Sequence, residues 1–396
     1  MNTVFRRDAL PQTILSVLPL TLFFPIGIIY TGVLLFLLSL LFAGDYRTKW
    51  LTAKSNPLFW PALVMFIVTC LSALIVGRPP SGFWNGFAHY QVYIFLLFFV
   101  SVGAGDWQRR AVTVFFIGAL YAATLYYLSL FKLLPAIQPF TNYVIYLGNK
   151  SILLGIMLAI AAAWMLYEMT VLPGRRWLWV RIIAFLYVAI ALLLLTKTRT
   201  ASLIFVLLCG FIFLKYFSFS SRGGLWLLGF LLLLGVAWQS ASDLRTRVMD
   251  TIKDVSTFSQ GKKVSEEGNR LEIFSITTEI IAERPLLGHG IATWKPLYET
   301  RAQGLSSADM ATPHNDYLLY AAEIGLIGLA VLLWTWGVQL AVAWKVGGEH
   351  GMLLGMLGVA VMVGGMFNAI LRDLDFGMPF MILLAIPLAG VVRNRQ

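Results

Sequence analysis

Long apolar runs separated by short polar connections dominate this sequence. At about 20 residues per span, twelve of these runs are long enough to cross a bilayer as helices. They lack the alternation of apolar and polar residues that is typical of transmembrane barrel strands. The pattern therefore predicts an all-α polytopic membrane protein with spans at about 10–26, 27–43, 57–77, 88–104, 111–134, 150–172, 182–197, 201–219, 225–240, 316–345, 351–370 and 377–393.

One long polar stretch interrupts the apolar pattern. It predicts a helical loop domain at 241–313, between a nine-span bundle at 1–240 and a three-span bundle at 314–396. The stretch carries ten acidic and nine basic side chains, far more than any other connection. We therefore expect a folded subdomain outside the bilayer.

Two helices are expected inside this loop domain. Apolar residues recur at helical spacing from Leu244 to Phe258. A second helix is predicted to begin near Asn269, with Glu272 in a capping box, and to stop at Pro285. Its apolar face, for the membrane or for the mouth of the bundle, would be formed by Leu271, Phe274 and Ile281.

Composition agrees with lipid as the solvent, because 59% of the residues are hydrophobic and only 12% are charged. The formal net charge of +11 does not indicate nucleic-acid binding, since short loops between spans collect basic residues for topological reasons. Cys70 and Cys209 lie inside apolar runs and are interpreted as small buried hydrophobes. Arg6 and Arg7 precede an apolar run without a convincing cleavage site, so we expect the first helix to remain.

The basic residues of the short loops predict the orientation. With a cytoplasmic N-terminus, six of them fall outside and fifteen inside, and the positive-inside rule favours that arrangement. Both termini are then cytoplasmic and the loop domain is extracytoplasmic. The inside residues are Arg6, Arg7, Arg47, Lys49, Lys54, Arg109, Arg110, Arg175, Arg176, Arg181, Lys215, Arg222, Lys345, Arg393 and Arg395.

Charged residues on the predicted outer side are candidates for ligand binding. Lys197 and Arg199 occupy a very short connection at the membrane interface, where cations are costly unless they are paired or hydrated. Snorkelling to lipid headgroups is the alternative. Arg270 near the start of a loop helix would oppose the helix dipole, which favours a functional role over a surface ion pair with Glu266 or Glu267. Arg284 and Arg301 have ordinary acidic partners nearby and are interpreted as structural.

His314 is the candidate general base. It directly precedes a predicted span, where the helix dipole disfavours the imidazolium and a neutral ring can accept a proton from a hydroxyl. A helix-capping role is the alternative. Arg372 and Asp373 lie in the last outer turn, where a carboxylate could orient His314 or neutralise the arginine. The remaining histidines, of which His289 is expected to serve a tight turn, carry little functional signal.

The sequence contains no metal-binding or nucleotide-binding motif, so no cofactor is expected. What remains is a set of outward-facing arginines and one histidine. These groups suit the displacement of a diphosphate leaving group by an alcohol, because guanidinium groups stabilise charge that develops on phosphate oxygens.

Several motifs together resemble the O-antigen ligase superfamily over about residues 190–330. In that superfamily an arginine follows a mid-chain span, another lies in the large periplasmic loop, and a His-Asn pair opens the next span. The resemblance assigns these positions to Arg199, Arg270 and His314. The motifs that carry it are Thr198-Arg199-Thr200-Ala201, Asn269-Arg270-Leu271, Pro285-Leu286-Leu287-Gly288-His289-Gly290, His314-Asn315-Asp316-Tyr317-Leu318 and Glu323-Ile324-Gly325-Leu326-Ile327-Gly328.

The resemblance implies a metal-independent, membrane-embedded glycosyltransferase with a GT-C-like fold in the bacterial inner membrane. It would take a glycan from undecaprenyl pyrophosphate in the periplasm and transfer it to a sugar hydroxyl of lipid A-core. His314 would deprotonate the hydroxyl for an inverting attack, while Arg199 and Arg270 hold the pyrophosphate. The further substrate-binding residues are predicted to be Lys197, Asn315, Arg372 and Asp373.

The same motifs also fit two other activities. O-antigen polymerases use a second lipid-linked glycan as acceptor, and protein O-oligosaccharyltransferases use serine. We favour a ligase, because the chain is compact and ends after its twelfth predicted span, without the C-terminal soluble region typical of the protein-modifying relatives. A polymerase is the nearest alternative. A secondary transporter is a further alternative, although its ionisable residues would be expected near the bilayer midplane and not at the outer interface.

Overall fold

The computed structural model describes residues 9–75, 82–134, 149–171, 178–196, 198–216, 235, 266–372 and 374–393. The regular secondary structure of the described residues is helical. In chain order the helices are α1 (Ala9–Thr21), α2 (Ile26–Ala43), α3 (Tyr46–Ser55), α4 (Phe59–Ile75), α5 (Phe83–His89), α6 (Val92–Val100), α7 (Trp107–Leu130), α8 (Asn149–Val171), α9 (Leu178–Ile190, continued by a π-helical turn Ala191–Leu195), α10 (Arg199–Tyr216), α11 (Glu266–Glu283), α12 (Trp294–Arg301), α13 (Asp316–Glu323), α14 (Gly325–Val346), α15 (Gly348–Phe367) and α16 (Leu374–Leu388).

The predicted all-helical, multi-pass architecture is confirmed for the described residues. Helices form at every predicted span that falls within them, whereas the loop helix from Leu244 to Phe258 and, apart from residue 235, the span at 225–240 lie outside them. Six of the described helices are long and apolar enough to cross a membrane. The number rises to eight if the bent pairs α3–α4 and α5–α6 each count as one span. The full count of twelve and the GT-C-like fold stay predictions.

The predicted span at 316–345 is wrong as a single helix. α13 ends at Glu323, and α14 begins at Gly325, whose φ of 77° is in the left-handed region. The turn that follows α11 presses against this point, because the Leu326 N–H donates to the Pro285 carbonyl oxygen at 2.8 Å. A Cβ on Gly325 would clash with the backbone of Leu286. A continuous apolar run in the sequence conceals this break, since the contact that causes it comes from a distant segment.

Gly325→Ala tests this close approach. We expect it to lower the free energy of unfolding by about 2–3 kcal/mol, because it combines an unfavourable backbone conformation with a clash against backbone atoms. Gly304 is the matched control, since it also has a positive φ, of 83°, but a Cβ added there would meet no atom within 4 Å. Gly304→Ala should cost only about 1 kcal/mol. Thermal unfolding of the two variants measures the difference, and equal losses would contradict the clash.

Contacts between helix ends show which loops share a side of the bundle. At one end, the Asn56 side chain donates to the Leu388 carbonyl oxygen at 3.1 Å, and the Arg393 N–H donates to the Ser55 carbonyl oxygen at 2.7 Å. We call this the basic end, because α3 and the start of α7 also bring their basic residues there. The opposite end carries residues 266–315 and is called the loop-domain end.

The described part of the loop domain packs on α13. Its small core consists of Ile273, Ile280, Trp294, Tyr298, Ala302, Leu319, Ala322 and Ala369. Phe274 and Ile281 of the predicted apolar stripe pack against this core, but Leu271 does not. Phe274 and Ile281 therefore face the mouth of the bundle.

α11 is described from Glu266 onward, three residues before the predicted start near Asn269. Glu272 does not form a capping box. It accepts a hydrogen bond from the Ser307 hydroxyl, which in turn accepts one from the Tyr298 hydroxyl at 2.6 Å. Glu272 is 9% exposed. This residue, which the sequence suggested as a helix cap, therefore connects α11 to the loop after α12 through a buried hydrogen bond.

Candidate active site

His314 lies at the loop-domain end in a strained backbone conformation. Its φ is 50°, which a residue with a side chain rarely adopts. The loop is held on both sides of it, since the His314 N–H donates to the Thr312 hydroxyl at 3.2 Å. Asn315 caps α13, with its side-chain oxygen accepting from the Leu318 N–H at 3.0 Å and its amide donating to the Met366 carbonyl oxygen at 3.1 Å. Such strain persists only where the surroundings enforce it, and it is common at functional sites.

The surroundings of the His314 ring favour its neutral form. Burial lowers the pKa of His314 below its ordinary value of 6.5, and the positive charge of Arg270 lowers that pKa further. A hydrogen bond with the Asn368 side chain acts in the opposite direction and raises the pKa. The neutral ring agrees with the prediction from sequence, but its cause is burial and a neighbouring arginine. The capping role falls to Asn315.

Arg270 lies near His314 but not at a helix start. It is exposed and stands one turn inside α11, so it does not oppose the helix dipole at the first residue as the sequence suggested. Its positive charge is close enough to lower the pKa of His314. Arg270 can therefore contribute a guanidinium group at the same mouth of the bundle.

Arg199 also lies at the loop-domain end. It is the first residue of α10 and is exposed. Ile204 follows five residues later in α10, about 7.5 Å along the helix axis. Its side chain lies beside Gly364, near the end of α15. The end of α15 also lies beside Asp316, because a Cβ on Gly365 would stand 3.0 Å from the Asp316 carboxylate. Arg199 and the start of α13 thus flank the same helix end, and Lys197 lies outside the described residues.

Arg372 braces the loop that carries His314. One of its terminal nitrogens, Nη1, donates to the Ala311 carbonyl oxygen at 3.0 Å. The preceding residue is fixed too, since both Asp316 carboxylate oxygens accept from the Leu371 N–H, at 3.2 and 3.1 Å. Asp316 is fully buried, so this link is shielded from solvent. Asp373, the other predicted residue of this turn, lies outside the described residues.

Glu323 joins the loop domain to the bundle. It is 6% exposed, and its carboxylate accepts from the Tyr90 hydroxyl at 2.8 Å and from the Trp294 N–H at 3.3 Å. Its backbone oxygen accepts from the Gly290 N–H at 2.8 Å and the Ser72 hydroxyl at 3.3 Å. This one residue therefore connects α4, the α5–α6 junction and the loop before α12.

His289 and Arg301 of the loop domain have structural contacts. The His289 ring lies 2.8 Å from the Ile280 carbonyl oxygen, in a turn where Gly288 and Gly290 have φ values of 67° and 102°. Arg301 donates to the Glu283 carboxylate at 2.6 Å, and this hydrogen bond lowers the pKa of Glu283. Both residues match their structural interpretation from sequence.

Sequence reasoning missed Asn368 and the role of Glu323. Asn368 follows an apolar run with no motif of its own, and only the fold brings it to His314. Glu323 did carry a signal, because an acid between apolar residues of a membrane helix is costly unless it has partners.

Comparison with known proteins is informative for one segment of the chain. A family model described as O-antigen ligase matches residues 182–333, which is less than half of the chain. The matched segment includes Arg199, Arg270, His314 and Glu323 and confirms the resemblance found in the motifs. No curated protein matches the chain.

Proposed function

We propose that this chain, whose residues 182–333 match the O-antigen ligase family, is a metal-independent O-antigen ligase. Its donor would be a glycan linked to undecaprenyl pyrophosphate, and its acceptor a sugar hydroxyl of lipid A-core. His314 is the general base, and Arg199 and Arg270 bind the pyrophosphate. Lys197, Arg372 and Asp373 are proposed to complete the site, with Asn315 positioning His314 through the cap of α13.

The observation that supports this proposal is a half-buried His314 whose pKa is lowered by burial and by the charge of Arg270. Burial and Arg270 both lower the pKa of His314, so the ring can accept a proton at neutral pH. Arg199 and Arg372 lie at the same end of the bundle as this ring. Guanidinium groups bind phosphate oxygens well, because their planar donors match two oxygens at once.

The reaction proceeds by a single displacement. The acceptor hydroxyl transfers its proton to His314 as its oxygen attacks the anomeric carbon of the donor sugar. The bond from that carbon to the pyrophosphate oxygen breaks, and the pyrophosphate leaves with the bonding electrons. The arginines stabilise the charge that develops on it. The anomeric configuration is inverted, and the histidine then releases its proton to solvent.

The proposed membrane orientation rests on how basic residues are distributed between the two ends of the bundle. The basic end brings together residues such as Arg47, Lys54 and Arg109, whereas the loop-domain end has few basic residues in its short loops. By the positive-inside rule, the basic end is cytoplasmic and the site faces the periplasm of a bacterial inner membrane. Both termini are then cytoplasmic.

A transfer assay with the purified full chain in nanodiscs tests the function. The undecaprenyl-pyrophosphate glycan is offered with lipid A-core, with a second lipid-linked glycan, or with a serine-containing peptide. We expect product only with lipid A-core, and no requirement for added metal ions. Extension of the lipid-linked glycan would instead identify a polymerase, and modification of the peptide a protein oligosaccharyltransferase. The absence of all three products would refute the proposal.

The pH dependence of transfer should follow the surroundings of His314. The acid limb of kcat/KM should lie below pH 6.5, since the pKa of this base is lowered. Asn368→Leu removes a hydrogen bond that raises the pKa and should move the limb to lower pH. Arg270→Gln removes a charge that lowers the pKa and should move it to higher pH, on top of a loss of rate. Shifts in the same direction would contradict these assignments.

A further inference from the structure

The junction between α5 and α6 leaves buried polar atoms without partners. The two helices meet at an angle of 43° around Tyr90 and Gln91. Among the described residues, the Nδ1 of His89 and both side-chain amide atoms of Gln91 are buried without a hydrogen-bond partner. The same holds for the hydroxyl of Tyr320, whose ring lies 4.9 Å from that of Tyr90.

Unpartnered atoms of this kind indicate a polar ligand. A buried donor or acceptor without a partner is unfavourable, and lipid offers no replacement for water. Breaks in membrane helices are tolerated where they line a polar cavity or a binding site. Four such atoms on three residues around one break therefore favour a state in which a ligand supplies their hydrogen bonds.

The position of the break associates it with the proposed active site. Arg372 lies within electrostatic range of His89, Tyr90 and Glu323. α5 also contacts the loop domain, because a Cβ on Gly86 would stand 3.0 Å from the side chain of Ala292. The break thus lies within electrostatic range of the same arginine that braces the loop of His314.

The chemistry of these side chains selects the ligand. A side-chain amide, a neutral imidazole and a phenol each offer uncharged donors or acceptors, which match hydroxyl groups better than phosphate oxygens. A phosphate would instead favour guanidinium groups, which neither His89 nor Gln91 provides. A ligand rich in hydroxyl groups, next to a diphosphate site, is a saccharide.

We propose that His89 and Gln91 form a saccharide subsite that binds hydroxyl groups of one sugar unit of the glycan substrates. The inference rests on the proposed function, and it adds residues that lie outside the segment matched by the ligase family. The sugar belongs either to the lipid-linked donor or to the acceptor, and binding measurements separate the two sources.

Gln91→Leu and His89→Leu are the test variants, because leucine removes the unpartnered polar atoms. For Gln91, this substitution also changes the side-chain volume little. Binding is measured in nanodiscs for the undecaprenyl-pyrophosphate glycan, for bare undecaprenyl pyrophosphate and for lipid A-core. We expect about tenfold weaker binding of one glycan ligand in each variant. Binding of the bare lipid should be unchanged. The melting temperature of Gln91→Leu should stay the same or rise, since its amide has no partner to lose.

Gln108→Leu is the matched control at the basic end. Its amide is fully used, donating to the Ala389 carbonyl oxygen at 3.2 Å and accepting from the Gly105 N–H at 3.1 Å. This variant should lower the melting temperature and leave glycan binding unchanged.

Weaker binding of the donor glycan alone would assign the subsite to the donor, and weaker binding of lipid A-core alone would assign it to the acceptor. Unchanged binding of both, or an equal loss for the bare lipid, would overturn the subsite. A lower melting temperature for Gln91→Leu, with binding intact, would also overturn it and show a structural role. If only the subsite is wrong, the unaltered protein still transfers the glycan. If the proposed function is wrong, the unaltered protein shows no transfer.

Discussion

Replacing His314 by asparagine is expected to lower kcat for glycan transfer by about 10²–10⁴-fold, the usual contribution of a general base. Asparagine removes the basic ring nitrogen but tolerates the positive φ of 50° at this position better than most residues. The melting temperature should therefore change little. The transfer assay with undecaprenyl-pyrophosphate glycan and lipid A-core measures the rate, and thermal unfolding measures the stability.

His350→Asn is the control for this variant. His350 is exposed at the basic end of α15, far along the helix from Asn368, and should be replaceable without loss of transfer. Unchanged kcat in His314→Asn, together with normal donor binding, would remove His314 from the reaction. The arginines would then remain as binding groups without an identified base.

Glu323→Ala should be the most destabilising single substitution at the junction of loop domain and bundle. It deletes a side chain that is 6% exposed and leaves the Tyr90 hydroxyl and the Trp294 N–H without their acceptor. Each unpaired donor costs about 1–3 kcal/mol, and the cavity adds to the loss. We expect the free energy of unfolding to fall by about 3–5 kcal/mol, measured by thermal unfolding and by protease sensitivity of the loop domain.

Two milder variants separate the hydrogen bonds from the cavity. Glu323→Gln keeps an acceptor oxygen and nearly the same volume, so its loss should be about 1 kcal/mol. Tyr90→Phe removes the strongest donor to this carboxylate, and combining it with Glu323→Ala should cost less than the sum of the two single losses. Additive losses would mean that the Tyr90–Glu323 contact does not stabilise the junction.

The apolar pattern by itself determined the class of fold. A run of about 20 apolar residues has one stable arrangement in lipid, because its backbone polar groups must pair within the helix. The pattern therefore located the long helices of the bundle that the structure describes, but not the short helices α3 and α5 or the break between α13 and α14. The motifs around Arg199, Arg270 and His314 determined the family resemblance, which the match over residues 182–333 confirms.

Only the tertiary structure decided where helices break and which side chains meet. Gly325 ends one helix and starts the next because the turn at Leu286 presses on it from another part of the chain. Asn368 reaches His314, and Glu323 reaches Tyr90, across separations of 54 and 233 residues. Helix formation depends on neighbours three or four residues apart, which a sequence displays directly, whereas these contacts depend on how distant helices pack.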